Sequence, residues 1–331
     1  MIELLIAFLL SFTLSVMLMP IIINYFRKKR ASQTILHYVE SHKEKNGTLT
    51  MGGVVFMITT LSLAFLIIDF DTNWIICLLS SVFFGILGLM DDHLKIKYKQ
   101  NLGLRPYQKI IGQLGISIIL ALYIYFLSGG GKIFIPFMDK QIDLGFWIIP
   151  LILLVMLATT NSVNLTDGLD GLAGNVSMYY LIFFTVITSI VSAGLYNNGQ
   201  VGGIISDIEN INLLSMLFVG SILGFLMFNT NKASIFMGDA GSLCLGGYIG
   251  ASACILGFEL IVPILGFCFV FSALSVILQV VSFKWKKKRI FKMSPFHHHL
   301  QMCGLGEPKI VAIYSATTVI LGALCIIFYM V

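Results

Sequence analysis

Long apolar runs follow one another along almost the whole chain, and they limit its fold more than any other feature. A helix that crosses the hydrocarbon core of a bilayer needs about 20 largely apolar residues, and ten runs approach or reach that length. The runs cover residues 2–25, 51–70, 73–90, 110–128, 146–162, 172–194, 211–228, 240–258, 260–283 and 309–330. We therefore predict an all-α integral membrane protein with about ten transmembrane helices, forming a single domain over residues 1–331.

The composition excludes several other classes of protein. Hydrophobic residues make up 57% of the chain and charged residues only 11%, whereas an average soluble domain has roughly 25% charged residues. A soluble globule, a disordered chain and a nucleic-acid-binding domain all fit these values poorly. We expect the lipid bilayer as the surroundings and no nucleic acid as a partner. Five of the six cysteines lie inside apolar runs and predict buried side chains without metal-ligand spacing.

The basic residues predict the orientation of the helices in the membrane. Ten spans place five connecting segments on one side, and these segments contain 19 of the 21 Lys and Arg residues. The segments are 26–50, 91–109, 161–175, 229–242 and 284–309. Because cytoplasmic loops are enriched in Lys and Arg, this side is predicted to be cytoplasmic, with both termini outside. On the outer side, the alternating residue pattern of 132–143 suggests a small hairpin.

The third apolar run ends at two adjacent carboxylates, Asp91 and Asp92, which are followed by several lysines. Carboxylates at the foot of a membrane helix are costly unless they are paired, solvated or bound to a cation. Since neighbouring helical residues point about 100° apart, we expect only one of the two to face a ligand and the other to contact a lysine. The alternative is a solvated helix end with local ion pairs.

The fifth run ends in a polar segment that includes Asn164, Asp167 and Asp170. The two aspartates are three positions apart and would share a face if the segment were helical. The glycines at 168 and 171 permit close backbone approach or a positive φ. The alternative is a turn closed by Asx-type hydrogen bonds.

A third acid, Asp239, opens the eighth run within the sequence Gly-Asp-Ala-Gly-Ser. The N-terminus of a helix favours anions because its N–H groups are free and its dipole is positive there. Asp239 could act as an N-cap. It could also belong to a Mg²⁺–diphosphate site, because Mg²⁺ takes one or two carboxylates and fills its other positions with water and phosphate oxygens.

Basic and histidine-rich segments lie on the same predicted side. A Lys/Arg run at 284–289 fits contact with anionic lipid headgroups. His297, His298 and His299 are consecutive, and such spacing suits phosphate or sugar hydrogen bonding better than zinc ligation. The first predicted cytoplasmic loop contains Lys45 and several glycines, a weak phosphate-loop pattern.

These clusters share one predicted membrane face. Carboxylates, basic groups and glycine-rich helix starts together describe a Mg²⁺–diphosphate site beside the bilayer. The residues that carry this hypothesis are Asp91, Asp92, Asp167, Asp170, Asp239, Asn164, Lys45, Lys109 and the three histidines.

Six segments resemble the signature blocks of the phospho-N-acetylmuramoyl-pentapeptide transferase family, within the polyprenyl-phosphate N-acetylhexosamine-1-phosphate transferase superfamily. They are GTLTMGG (47–53), DDHLK (91–95), NLGLRPYQK (101–109), NLTDGLDGL (164–172), FMGDAGS (236–242) and SPFHHHL (294–300). The blocks occur in order over essentially the whole chain. The first and last point to the muramoyl-pentapeptide branch, whereas the acidic blocks are shared across the superfamily.

The resemblance implies a reaction and its partners. Phospho-MurNAc-pentapeptide would move from UDP-MurNAc-pentapeptide to undecaprenyl phosphate in the bacterial plasma membrane, with Mg²⁺ as cofactor, yielding lipid I and UMP. A second copy of the chain is a further partner to consider. Two other functions remain open. One is the same chemistry with a UDP-GlcNAc-type donor, and the other is a transporter, because acids within a membrane often mark ion pathways.

The resemblance also implies roles for individual residues. Asp239 is expected to ligate the metal with Asn164 nearby, and Asp91 or Asp92 to act as base or to orient the lipid phosphate; Lys109 and His298 complete the expected catalytic group. The expected uridine pocket comprises Lys45, Gly168, Leu169, Asp170, Asn229 and Phe236. The sugar-phosphate side is expected to comprise Thr50, Asn164, Asp167 and the histidines 297–299.

Overall fold

The computed structural model describes residues 1–29, 47–98, 103–128, 130–138, 140–199 and 202–330, and within them the chain is almost entirely helical. The α-helices in chain order are α1 Ile2–Lys28, α2 Val54–Ile67, α3 Thr72–Tyr98, α4 Pro106–Tyr123, α5 Ile148–Thr166, α6 Leu172–Asn197, α7 Ile204–Asn229, α8 Gly238–Leu256, α9 Val262–Leu265, α10 Phe267–Lys286, α11 Phe296–Met302 and α12 Glu307–Met330. Short π and 3-10 turns occupy Ile124–Ser128, Gly145–Trp147 and Glu259–Ile261.

Nine helices in the described part of the chain are long and apolar enough to cross a membrane, so the protein is an integral membrane protein. The run predicted at 51–70 is the exception, because its helix α2 has only 14 residues. At 1.5 Å per residue such a helix measures about 21 Å, less than the roughly 30 Å of a bilayer core.

Helix α2 nevertheless runs from one end of the bundle to the other. Just before it, Gly52 N donates to Phe236 O beside the start of α8. Just after it, Asp69 O accepts a hydrogen bond from Trp74 Nε1 at the start of α3, and Asn73 Nδ2 donates to Asp207 Oδ1 at the start of α7. Helix α2 therefore joins the end of the bundle where α8 starts to the end where α3 and α7 start.

Both chain termini lie at the end of the bundle opposite to Asp239. Met1 and Glu3 line a cavity of about 710 Å³ together with Asp69 from the loop after α2. Near the C-terminus, Phe328 contacts Phe137 from the loop between α4 and α5, with ring centroids 5.2 Å apart. This cavity is thus at the far end of the bundle from the aspartates of α3 and α8.

The hairpin predicted at 132–143 is confirmed. Strand β1, Lys132–Phe134, pairs antiparallel with β2, Gln141–Asp143. Phe134 N donates to Gly257 O over 2.7 Å, and the Phe134 ring stacks on Phe258 with centroids 4.9 Å apart. The hairpin therefore covers the C-terminal end of α8.

Two predicted helix boundaries were wrong. The third run was expected to stop at Asp91 and Asp92, but α3 continues to Tyr98, so both acids are helical. The ninth run was expected to be continuous over 260–283, but it breaks at Gly266 between α9 and α10. Glycine is the residue other than proline least favourable to a helix interior, and this break separates four helical residues from the long helix.

Helix α8 forms the centre of the bundle and is almost completely buried. Small residues let its neighbours approach closely, as is usual between membrane helices. A Cβ at Gly246 would lie 2.6 Å from the Thr160 Cα of α5, and one at Gly247 would lie 2.8 Å from the Phe84 ring of α3. This packing sets the start of α8 between the ends of α3 and α5.

Candidate active site

The backbones of α3 and α8 meet at Gly88, directly beside Asp239. A Cβ at Gly88 would lie only 2.1 Å from the carbonyl oxygen of Asp239, so only glycine fits this contact. One turn further along α3, Asp92 Oδ2 accepts a hydrogen bond from Ala240 N over 3.0 Å. The free N–H at the start of α8 thus binds Asp92, which fixes the two helix ends relative to each other.

Three carboxylates converge at this junction. Oxygen atoms of Asp91, Asp92 and Asp239 all lie within 4.8 Å of one another, and Asp91 and Asp92 are each only 3% exposed. Both adjacent aspartates thus reach the same cluster, and Asp91 also contacts a lysine, as we expected of one of the two. The side chains are long enough to bring both carboxylates to Asp239 despite their angular separation on the helix.

Two lysines neutralise most of this negative charge. Lys95 Nζ lies 2.6 Å from Asp91 Oδ2, 3.8 Å from Asp92 Oδ1 and 3.1 Å from Asp239 Oδ2. Lys109 Nζ on α4 donates to Asp239 Oδ2 over 2.8 Å. The sequence analysis singled out Lys109 and expected one aspartate to contact a following lysine without choosing among them; the i+3 and i+4 spacing selects Lys95.

Neutral groups hold the remaining carboxylate oxygens. Asn164 Nδ2, on the last turn of α5, donates to Asp239 Oδ1 and to Ser242 Oγ, both over 2.9 Å. Leu104 N donates to Asp91 Oδ1 over 2.8 Å. Hydrogen bonds to ionised carboxylates are stronger than neutral ones, so these contacts orient the acids. In this arrangement Asn164 positions Asp239, and metal ligation by Asn164 stays a prediction.

The three aspartates could hold a metal ion. Hard divalent cations prefer oxygen ligands, and carboxylates supply them with negative charge. Three carboxylates against two ammonium groups leave one net negative charge, so the cluster has room for further positive charge. Such a cluster at the foot of membrane helices fits charged ligands better than a structural role alone.

The loop between α5 and α6 lies beside this cluster. Burial and the nearby carboxylates of Asp239, Asp92 and Asp170 raise the pKa of Asp167 to about 8. Asp170 is buried, and its Oδ2 accepts a hydrogen bond from Ala233 N over 3.1 Å. Asp167 is the C-cap of α5, so the helix ends there and the segment from Asp167 to Asp170 is not a continuous helix. In this respect it resembles the turn that was the alternative for these two aspartates.

Asn229 ties this loop to the segment before α8. Its Oδ1 accepts a hydrogen bond from Gly171 N over 2.9 Å, and its Nδ2 donates to Ile235 O over 2.8 Å. Gly171 has a φ of +74°, which a glycine adopts without strain. The side chain of Asn229 therefore joins two loops, and its predicted contact with uridine would come in addition.

The other predicted pocket residues lie around the same junction. Leu169 and Thr50 are buried, whereas Gly168 and Phe236 are half-buried. Phe236 N donates to Leu49 O over 2.7 Å, which places the segment before α2 against the segment before α8. Lys45 lies outside the residues that the structure describes.

The three histidines have different surroundings. His297 is completely buried, and a Cβ at Gly168 would lie 2.2 Å from its Nε2. His298 is half-buried, and its Nδ1 lies 2.7 Å from Gln301 Oε1. His299 Nδ1 accepts a hydrogen bond from Lys292 N over 3.1 Å. The sequence analysis treated the triplet as one unit, but His297 packs into the protein, whereas His298 and His299 are half-buried and each has a side-chain partner.

Known proteins resemble this chain over nearly its full length. Residues 74–257 match glycosyl transferase family 4. The phospho-N-acetylmuramoyl-pentapeptide-transferase of Clostridium novyi (strain NT) is 44% identical over 318 residues, covering 95% of this chain and 93% of its own. The chain belongs to this transferase family. A Clostridium botulinum relative of the same name is 45% identical, with 97% and 94% coverage, and a Clostridioides difficile relative is 37% identical, with 96% and 95% coverage.

Membership of the family decides between the functions left open by the sequence. The chain is a transferase, and the reading as a muramoyl-pentapeptide transferase is favoured over a UDP-GlcNAc-type donor. The transporter alternative also fits the geometry poorly, because the clustered aspartates lie at one end of the bundle rather than at its middle.

Proposed function

We propose that this transferase moves phospho-N-acetylmuramoyl-pentapeptide from UDP-MurNAc-pentapeptide to undecaprenyl phosphate. The products would be lipid I and UMP, in peptidoglycan biosynthesis. The observation that carries the proposal is the cluster of Asp91, Asp92 and Asp239 with two lysines at the foot of membrane helices, in a chain of this family. A site at the bilayer edge suits an acceptor whose lipid tail stays in the membrane.

Mg²⁺ is the proposed cofactor, held by Asp91, Asp92 and Asp239 with Asn164 beside them. Bound there, Mg²⁺ would neutralise charge on the diphosphate and polarise its oxygens. The fit rests on the oxygen donor set and on the 4.8 Å limit among the carboxylate oxygens. Lys109 and Asn164 hold Asp239 in position from two other helices.

Phosphoryl transfer depends mainly on alignment and on charge neutralisation, with little covalent help from the protein. A phosphate monoester has a second pKa near 6, so the acceptor is largely ionised at neutral pH and can attack without losing a proton to a base. Asp91 and Asp92 are therefore proposed to position the acceptor through the metal and Lys95. A role of Asp91 as general base is the alternative.

The donor would lie across the loops next to the cluster. The uridine is assigned to Lys45, Gly168, Leu169, Asp170, Asn229 and Phe236. The sugar-phosphate side is assigned to Thr50, Asn164, Asp167 and the histidines 297–299. Of the histidines, His298 is the proposed direct contact, because His297 is buried behind Gly168 and His299 holds the backbone at Lys292.

The end of the bundle with the aspartates is proposed to face the cytoplasm of a bacterial cell, at its plasma membrane. The segments that carry 19 of the 21 Lys and Arg residues connect helices at this end, and cytoplasmic loops have such an excess. Both termini would then lie outside the cell. A homodimer is the proposed assembly, which the mass of the detergent-solubilised protein would test.

The decisive experiment measures UMP release by the purified chain with undecaprenyl phosphate and MgCl₂. UDP-MurNAc-pentapeptide should support turnover, and omission of either the lipid or the metal should abolish it. UDP-GlcNAc is the control donor. Turnover of UDP-GlcNAc in place of the pentapeptide donor would contradict the proposal and support a linkage-lipid transferase.

A further inference from the structure

The ammonium group of Lys95 lies in the space that the three aspartates share. It is within 4.0 Å of an oxygen of Asp91, of Asp92 and of Asp239. A divalent cation ligated by these carboxylates needs the same oxygens at about 2.0 to 2.1 Å. Two positive groups a few ångströms apart repel each other strongly in a partly buried site, so the ammonium and the metal compete for one position.

We propose that Lys95 is a built-in counterion that pairs with the three carboxylates without metal and is displaced when the metal binds. The inference deepens the proposed function, since it rests on a divalent metal as cofactor. Lys95 is then a positioning residue. It offsets the negative charge of the cluster at the foot of a membrane helix, where unpaired carboxylates are costly.

The carboxylates keep their places by contacts that do not involve Lys95. Asp92 is held by Ala240 N, Asp91 by Leu104 N, and Asp239 by Asn164. The close approach of Gly88 to the Asp239 backbone fixes α3 against α8. Removal of the Lys95 charge therefore leaves the ligand geometry intact and changes chiefly the competition with metal.

Lys109 does not have the same position. Its ammonium contacts Asp239 alone among the three aspartates, so a metal can share Asp239 with it through the other oxygen. Lys95 contacts all three acids and is itself one of the residues on the last turns of α3. Its side chain is 19% exposed, which gives the ammonium a way to turn toward solvent without unfolding the helix.

Displacement of Lys95 would also change what the site attracts. Three carboxylates and two ammonium groups carry one net negative charge, whereas a bound dication makes the total positive. The released ammonium stays tethered beside the metal and becomes available to phosphate oxygens. Metal binding would thus convert a self-neutralised cluster into a site for a diphosphate, and the two ligands would bind cooperatively.

The test measures the thermal unfolding temperature of the full chain in detergent with MgCl₂ alone, without substrate. Lys95→Gln is compared with Lys97→Gln, which removes the same charge from an exposed lysine two residues away. Lys95→Gln should lower the unfolding temperature in EDTA. It should also reach half of its Mg²⁺-induced stabilisation at about tenfold lower Mg²⁺ than Lys97→Gln, because the competing ammonium is gone.

Equal Mg²⁺ half-saturation in the two variants would overturn the inference. If Lys95→Gln does not fold, Lys95→Arg takes its place, because a guanidinium keeps the charge and pairs more firmly with carboxylates. Lys95→Arg should then need more Mg²⁺ than the unmodified chain, and an unchanged requirement would again overturn the inference. UMP release by the unmodified chain is measured in parallel, so a failure of the proposed function is seen separately.

Discussion

At one end of the bundle three aspartates share two lysines, and at the opposite end Glu259 is buried alone. Glu259 is 2% exposed, and neither of its carboxyl oxygens has a hydrogen-bond partner in another described residue. Burial raises the pKa of Glu259 to about 8, so it is largely neutral at pH 7. The aspartates, by contrast, are paired with ammonium groups and with backbone N–H groups.

The comparison shows that burial of a carboxyl group does not by itself indicate a functional site. A buried carboxyl group without a charged partner avoids its desolvation cost by keeping its proton, and such a group offers little to a metal or phosphate. In the aspartate cluster, lysines from α3 and α4 are placed among the carboxylates. Carboxylates paired with charged groups at the membrane edge, rather than burial, mark the candidate active site.

The largest difference is expected when one acid at each end of the bundle is replaced by its amide. Asp239→Asn removes the carboxylate that Lys95, Lys109 and Asn164 all contact. We expect UMP release to fall by about a thousandfold, as when one group of a preorganised electrostatic site is lost. Glu259→Gln should retain activity, because the amide resembles the neutral acid already present.

Size-exclusion profiles in detergent provide the control for both variants, and each should elute as the unmodified chain does. Similar losses of UMP release in Asp239→Asn and Glu259→Gln would mean that a buried acid at either end of the bundle is equally important for activity. The contrast between the two regions would then be lost.

The second effect concerns the helix contact that positions Asp239. Gly88→Ala places a methyl group against the Asp239 carbonyl oxygen, and such overpacking costs about 1 to 3 kcal/mol. We expect a lower thermal unfolding temperature and reduced UMP release. Gly115→Ala on α4 is the matched control, since its methyl group would meet no described atom within 4 Å, and should be neutral or slightly stabilising. Equal behaviour of the two would argue against the close contact.

Much of the fold could be predicted from the sequence because lipid permits few solutions. Apolar runs must form helices that satisfy their own backbone groups, so their positions along the chain were predictable from residue type. The 14-residue length of α2 and the break at Gly266 were not, because tertiary packing decides where a marginal helix ends.

The sequence allowed us to predict which residues form the candidate site, but not how they are arranged in space. The residue types of Asp91, Asp92 and Asp239 identified them as metal or phosphate ligands. Their convergence, however, depends on the contact of Gly88 with the Asp239 backbone. These two residues are 151 positions apart along the chain, so no local pattern predicts their contact. Lys95 could have been found from its i+4 spacing to Asp91. The burial of His297 behind Gly168 joins two segments that share no local pattern.

A smaller effect is expected in the pH dependence of stability. The pKa of Glu259 is about 8 in the folded chain against a usual 4.5, so the folded state keeps a proton that the unfolded state loses. Stability should therefore fall as pH rises from about 4.5 to about 8 and level off above, with a slope approaching about 1.4 kcal/mol per pH unit. Unfolding temperatures across this range should show the fall, and Glu259→Gln should flatten it.

The smallest effect should come from Asp167, which lies at the aspartate end but resembles Glu259 in its titration. Its pKa is also raised to about 8, first by burial and then by the neighbouring carboxylates. Its side chain is partly exposed, so solvent screens the effect and the slope should be shallower than that of Glu259. In a Glu259→Gln background, where the larger slope is absent, Asp167→Asn should remove the remaining contribution between pH 5 and 8, measured by thermal unfolding in EDTA. A contribution that persists unchanged in Asp167→Asn would show that another group causes it and that Asp167 is ionised beside the cluster.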